Sequence, residues 1–197
     1  VPTLVAPTVQ PGSLASREQP TLVAEGGLLL RPWTVDDAPA VRAAYEDPEI
    51  QRWHVRRADS VAEAAEWVAG WRGGWAAESE ASWAVVDAGS DGLLGRAALK
   101  GLNFADGTAH VAYWTVPAAR GRGVGPRAVE AMAAWAFDAG FQRLELGHAV
   151  ANTASCRVAE KCGFSLEGVR RSVWLHADGR HDAHIHARCA AEKALAD

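Results

Sequence analysis

Val116 to Gly125, VPAARGRGVG, decides how the rest of the chain is read. Before it, His110 to Val116 (HVAYWTV) is mostly apolar and reads as a strand. After it, Pro126 to Ala139 (PRAVEAMAAWAFDA) places Val129, Met132, Ala133 and Ala136 at helical spacing. A strand, a basic glycine turn and a helix in that order make an anion site. Gly121, Gly123 and Gly125 let the backbone approach a ligand and turn its N–H groups toward it. The helix start, with Val124 and Pro126 at its head, adds unpaired donors and a positive dipole end. Proline suits that first turn because its missing N–H is not needed there. Arg120 and Arg122 add charge-assisted donors suited to a pyrophosphate. The competing reading is a solvated turn that happens to be basic. The dinucleotide fingerprint has different glycine spacing, and the lysine–serine/threonine pair of a P-loop is missing.

The run R-G-x-G-[VI]-G between strand and helix resembles the coenzyme-A pyrophosphate loop of the GNAT family of N-acetyltransferases. A second stretch, Asn152 to Phe164 (NTASCRVAEKCGF), resembles the N-x-x-S-x-x-V-x-x-K-x-G-F segment of one branch of that family. That branch is typified by ribosomal-protein-alanine and small-molecule amine acetyltransferases. The resemblance covers roughly Leu28 to Cys189 and implies an α/β fold: a mixed, mostly antiparallel sheet flanked by helices.

Length and composition bound the alternatives. The chain has 197 residues, enough for one domain with a sizeable core. A formal net charge of −4 does not indicate a nucleic-acid surface. No run of about 18 apolar residues exists, so no membrane span is expected. No basic start precedes a clean apolar stretch, so no secretory leader is expected. Three cysteines, Cys156, Cys162 and Cys189, fit a reducing cytoplasm better than a disulfide framework.

Residues 1–27 carry Pro2, Pro7, Pro11 and Pro20 with no sustained periodicity, and read as an extended arm or flexible tail. Such an arm suits contact with a neighbouring subunit in a homodimer. The domain is expected over 28–191, with a tail at 192–197. Leu28 to Trp33 reads as a strand, Thr34 as the cap of a helix that Pro48 ends, and Glu49 to Arg57 as a loop over the cleft. Ser60 opens a second helix with Glu63 completing a capping box, and Gly73-Gly74 mark its end. On it Trp67, Trp71 and Trp75 form one stripe, read either as core or as the wall of an amine pocket. Ala81 to Asp87, Leu93 to Gly101 and Gln142 to His148 read as further strands. Phe164 to Leu175 and His181 to Cys189 form a closing hairpin. In its last strand His184 and His186 share the polar face. With His176, His181 and Cys189 they raise the idea of a metal. No recognised zinc spacing is present, so none is expected.

The resemblance implies acyl transfer from acetyl-coenzyme A to an amine, a protein N-terminus or a small molecule. The pantetheine arm would pair with the strand at Trp114, Thr115 and Val116, in a gap between it and the strand ending at His148. Arg120 to Pro126 would hold the pyrophosphate, and Asn152, Ser155 and Arg157 would lie along the other side. An alkyl ammonium has a pKa of about 10, so the acceptor must lose a proton before attack. His110 stands where relatives carry a glutamate base, and an imidazole suits that task near neutrality; His148 is the second candidate. Many relatives place a tyrosine acid where this chain has Ala159. Ser155 matches the serine that the ribosomal-protein branch uses toward the thiolate. Tyr113 is adjacent to the cofactor strand, but alternation would turn it to the core. Asp182 is expected to hold the hairpin. Two rivals stand beside the enzyme reading: an acyl-coenzyme-A sensor without turnover, and a transferase of longer acyl groups.

Overall fold

The computed structural model describes residues 4–190. The tail at 192–197, residue 191 and residues 1–3 lie outside them.

Eight strands form one sheet in the order β1-β2-β3-β4-β5-β6-β8-β7. They are β1 (Leu22–Ala24), β2 (Leu28–Pro32), β3 (Glu80–Asp87), β4 (Leu93–Asn103), β5 (Thr108–Thr115), β6 (Arg143–Ala149), β7 (Ser165–His176) and β8 (Gly179–Cys189). All neighbours are antiparallel except β5 and β6. The helices are α1 (Ala38–Ala44), α2 (Pro48–His54), α3 (Val61–Ala76), α4 (Val124–Asp138) and α5 (Thr153–Lys161). No helix among the described residues is long and apolar enough to cross a membrane.

The sheet is covered on both faces. One core joins α4, through Val129, Met132, Ala133 and Ala136, to Trp83, Val85, Leu99, Leu144 and Leu146. The other gathers Trp33, Val41, Tyr45, Val68, Trp71 and Trp114. Strand β3 is buried on both faces from Ala81 to Val86, which explains its almost unbroken apolar run.

The parallel pair matters most. β5 and β6 are in register only at Thr108–Arg143, Ala109–Leu144 and His110–Glu145. Beyond His110 they part, so β5 from Val111 onward keeps β4 on one edge and offers its other edge to a gap. The anticipated splay is thus present between these two strands.

Several local expectations differ from the structure. The segment read as a loop at Glu49 to Arg57 is largely helix α2. Asp47 caps it, its side chain accepting from the Ile50 amide at 2.9 Å, and Pro48 starts the helix rather than only ending its predecessor. Gly73 and Gly74 do not end α3, which runs to Ala76. Gly74 instead lets the helix approach β3, since a Cβ there would meet Glu80 at 3.0 Å. The stretch read as an extended arm lies on the domain. Val9 and Leu14 are buried, and Leu22–Ala24 is the edge strand. Trp75 donates its indole N–H to the Arg17 carbonyl and Trp83 donates to Pro20, both at 2.8 Å. Glu78 accepts from the amides of Gly12, Leu14 and Ala15. Long indole donors buried under the segment set its path, which a reading of proline spacing alone misses.

Candidate active site

The glycine turn leaves β5 through a short 3-10 turn, Pro117–Ala119, and enters α4 at Val124. Gly121 and Gly123 hold φ of +72° and +74°, the left-handed region where a Cβ is strained. Gly125 has ordinary φ; a Cβ there would sit 3.5 Å from the Tyr113 ring, so its smallness serves close packing. The amides from Gly121 to Gly125 donate to no protein group among the described residues. Their carbonyls, by contrast, are held from behind. Arg127 donates to the carbonyl of Gly123 at 3.1 Å, to that of Arg122 at 2.8 Å and to that of Glu25 at 2.8 Å. One guanidinium therefore fixes the turn with its N–H groups outward, which is the polarity an anion requires. Sequence reading missed Arg127; only its place one turn inside the helix signalled it.

Two cavities meet at this end of the sheet. The first, about 440 Å³, is lined by Gly121, Gly123 to Pro126, Trp114, Thr115, Arg120, Asn152, Ser155 and Arg157. The second, about 350 Å³, lies deeper in the fork and is lined by Val111, Ala112, Gly147, His148, Trp53, Trp174 and His176. Tyr113, His54, Trp53, Asn152 and Ser155 line both. The structure thus brings together the strand edge, the turn and the start of α5. Asn152 caps α5 by accepting from the Ser155 amide at 3.1 Å, and so aims the first turn of that helix at the junction.

Not every candidate arrives there. His110 lines neither cavity. It stands exposed at the closed end of the fork, its Nδ1 3.6 Å from Glu145, because it belongs to the last paired register of β5 and β6. Arg122 and Val116 are outside the lining as well. Arg120 crosses the cleft to Asp47. Although burial opposes it, that guanidinium and the Ile50 amide hold the Asp47 carboxyl below its usual range. Trp67, Trp71 and Trp75 take up core packing: Trp71 lies 4.8 Å from Trp33, Trp67 5.0 Å from Tyr45 and Trp75 5.7 Å from Trp135. The aromatic walls of the inner cavity are Trp53 and Trp174 instead.

At the junction the Tyr113 hydroxyl donates to Ser155 Oγ at 3.0 Å. Alternation does turn Tyr113 toward the α4 face, but its ring passes Gly125 and its hydroxyl reaches α5. Burial pushes its phenol up to about 12, with the bond to Ser155 pulling the other way. Burial also holds His54 down at about 4 and lowers His148 and His176, so these imidazoles are neutral near pH 7. The Cys156 and Cys162 thiols are both raised by burial, Cys162 to about 12, which disqualifies either as a nucleophile. Asp182 accepts from the Ser172 amide at 2.7 Å, bracing the bulge in β7 as its position suggested.

An anion cradle that opens onto a free strand edge defines a protein shaped for a long ligand with a phosphate head and a strand-like arm. The chain belongs to the acetyltransferase (GNAT) domain family, which matches residues 27–165. Its mixed, mostly antiparallel sheet with flanking helices is the GNAT fold. Among solved structures it is similar to a GNAT-family acetyltransferase from Bacillus anthracis, with TM-score 0.77 and 21% identity over 87% of this chain and 99% of that one. It is similar to a ribosomal L7/L12 α-N-protein acetyltransferase in complex with coenzyme A, with TM-score 0.77 and 20% identity over 86% and 98% of the two chains. The microcin C7 self-immunity acetyltransferase, in complex with acetyl-coenzyme A and AMP, gives TM-score 0.76 and 18% identity over 84% and 93%. No curated protein matches the chain.

Proposed function

We propose that the protein transfers an acetyl group from acetyl-coenzyme A to a primary amine by direct attack within a ternary complex. The observation that carries this reading is the outward row of amides at Gly121 to Gly125, leading without interruption to the unpaired edge of β5. The diphosphate would take the amides and the helix start. The pantetheine would pair with β5 at Trp114 and Thr115, as an added strand does. Asn152, Ser155 and Arg157 would border it from α5.

The thioester then falls where the two cavities meet, with the amine entering through the inner one. The amine nitrogen bonds to the carbonyl carbon, the C–S bond breaks, and the thiolate leaves. Ser155, supplied by Tyr113, donates a hydrogen bond to that sulfur. A thiol has a pKa of about 8.5 and the phenol about 12, so the thiolate takes a hydrogen bond rather than the proton itself. The pair works by electrostatic stabilisation, a task worth about 10²–10³ in rate per donor elsewhere. The amine's proton leaves through water toward the neutral imidazole of His176, since His54, held at about 4, is too weak a base to take it. His110 is too far around the fork for this, and His148 is turned away to His186, their Nε2 atoms 3.2 Å apart.

A weak imidazole base favours an acceptor whose ammonium is itself acidic. An α-amino group, with a pKa of about 7.7–8.0, is better matched than a lysine at about 10.4. That agrees with the likeness of Asn152 to Phe164 to the ribosomal-protein branch, while the Trp53 and Trp174 walls also suit a flat small-molecule amine. A sparse set of three cysteines suits a cytoplasmic setting. One observation favours a sensor: the lining of the inner cavity includes no carboxylate base. Thiol release from acetyl-coenzyme A in the presence of N-terminal peptides, polyamines and aromatic amines separates the readings. Amine-dependent release supports the transferase, whereas tight coenzyme binding with none across the panel supports the sensor. Donors of longer chain in the same assay define the acyl group.

A further inference from the structure

A cluster outside the coenzyme path suggests a second site. His148 on β6 faces His184 across the sheet, and His186 lies two residues along β8 on the same face. Their face was expected to be polar and open, but α5 covers it: His186 is 1% exposed and His148 4%. Cys156 of α5 closes the group, its Sγ 3.9 Å from His186 Nε2. One ligand atom from each of the four lies within 4.8 Å of every other.

Protonation makes the case. His148 Nδ1 is 2.9 Å from the Ala149 carbonyl and His186 Nδ1 is 3.4 Å from the Phe164 carbonyl. A carbonyl only accepts, so each Nδ1 carries the hydrogen. Both Nε2 atoms are then bare lone pairs, and they face each other at 3.2 Å. A cation between them would satisfy both. A proton would make a buried imidazolium, and the carboxylate beside the cluster, Glu160, accepts from the Cys156 thiol at 3.6 Å instead of pairing with an imidazole. His184 adds a buried Nδ1 with no hydrogen-bond partner among the described residues.

We propose that His148, Cys156, His184 and His186 bind a zinc-class divalent metal ion. Four ligands of this kind are the usual tetrahedral complement of structural zinc. At Zn–N distances of about 2.0–2.1 Å, two nitrogens of a tetrahedron lie about 3.3 Å apart, and a sulfur at about 2.3 Å lies about 3.6 Å from each. The separations of 3.2 Å and 3.9 Å are close to those edges, and side-chain adjustment completes the rest. The backbone carbonyls on His148 and His186 Nδ1 are the outer partners that orient metal-bound imidazoles. On binding, the Cys156 thiol gives up its proton to solvent and its thiolate completes the set. The ion would tie β6, α5 and β8 together and hold His148 as a rigid wall of the inner cavity.

The hairpin tip offers another group, His176, Asp178 and His181, and the test separates the two. The full-length protein, stripped with chelator, is titrated with cobalt(II) and then zinc(II). One equivalent of cobalt should give the intense visible bands of four-coordinate cobalt and a thiolate charge-transfer band, both erased by zinc, with a rise in Tm. Cys156→Ser should abolish the charge-transfer band, and His184→Asn should weaken zinc at least about a hundredfold, beyond what outer-partner changes do. His181→Ala should change neither. A pale six-coordinate spectrum, a band that survives Cys156→Ser, or binding lost in His181→Ala overturns the proposal. These readouts need no acetyl transfer, so they stand apart from the proposed function.

Discussion

Two hydroxyls carry most of the chemical argument at the scale of single residues. Ser155→Ala and Tyr113→Phe should each lower kcat by up to about a hundred- to a thousandfold with little change in the KM for acetyl-coenzyme A. The double variant should lose no more than the worse single one, because the two groups act as one relay. Steady-state thiol release measures all three, and His110→Ala, outside both cavities, should stay within about twofold of the parent. His54 supplies a pH signature. Its folded pKa of about 4 lies below the unfolded value of 6.5. The unfolded chain therefore binds a proton first, and stability is constant above about pH 6.5, falls between there and 4, and levels off below. Urea midpoints across that range should fall less steeply for His54→Gln. The turn at Gly121 and Gly123 and the helix start at Ser155 were legible in sequence because backbone geometry and helix starts leave local marks. The Tyr113–Ser155 bond was not, since it joins residues 42 apart, and alternation tells the face of a side chain but not how far it reaches.

Elements behave according to what braces them. The turn before α4 owes its orientation to Arg127, whose guanidinium binds three carbonyls at once. Arg127→Met should keep the helix, for methionine is as good a helix former, yet weaken coenzyme A about tenfold by calorimetry. A coenzyme fragment lacking the diphosphate should bind both forms alike. Helices α3, α4 and α5 are readable from caps and periodicity, whereas α2 is not. Its seven residues, PEIQRWH, are polar but for Ile50 and Trp53, so no periodic stripe reports it. The cap at Asp47 was the available signal, and it lay hidden behind a proline read only as a terminator.

For the whole molecule, the family match begins at residue 27, but the packed unit begins near Thr8, which donates to the Ala105 carbonyl at 2.8 Å. Glu78→Ala removes the carboxylate that three amides of the N-terminal segment share. It should lower stability by about 1.5–3 kcal/mol, several degrees of Tm for a domain of this size. Limited proteolysis should then nick the chain before β1 while the remainder survives.

The parting of β5 from β6 has a mechanical side. Five strands lie on one side of that line and three on the other, and only three residue pairs join them. The sheet is two leaves on a narrow hinge. A strand-like ligand laid in the opening would supply the rungs that the polypeptide omits, so its arrival would stiffen the entire blade.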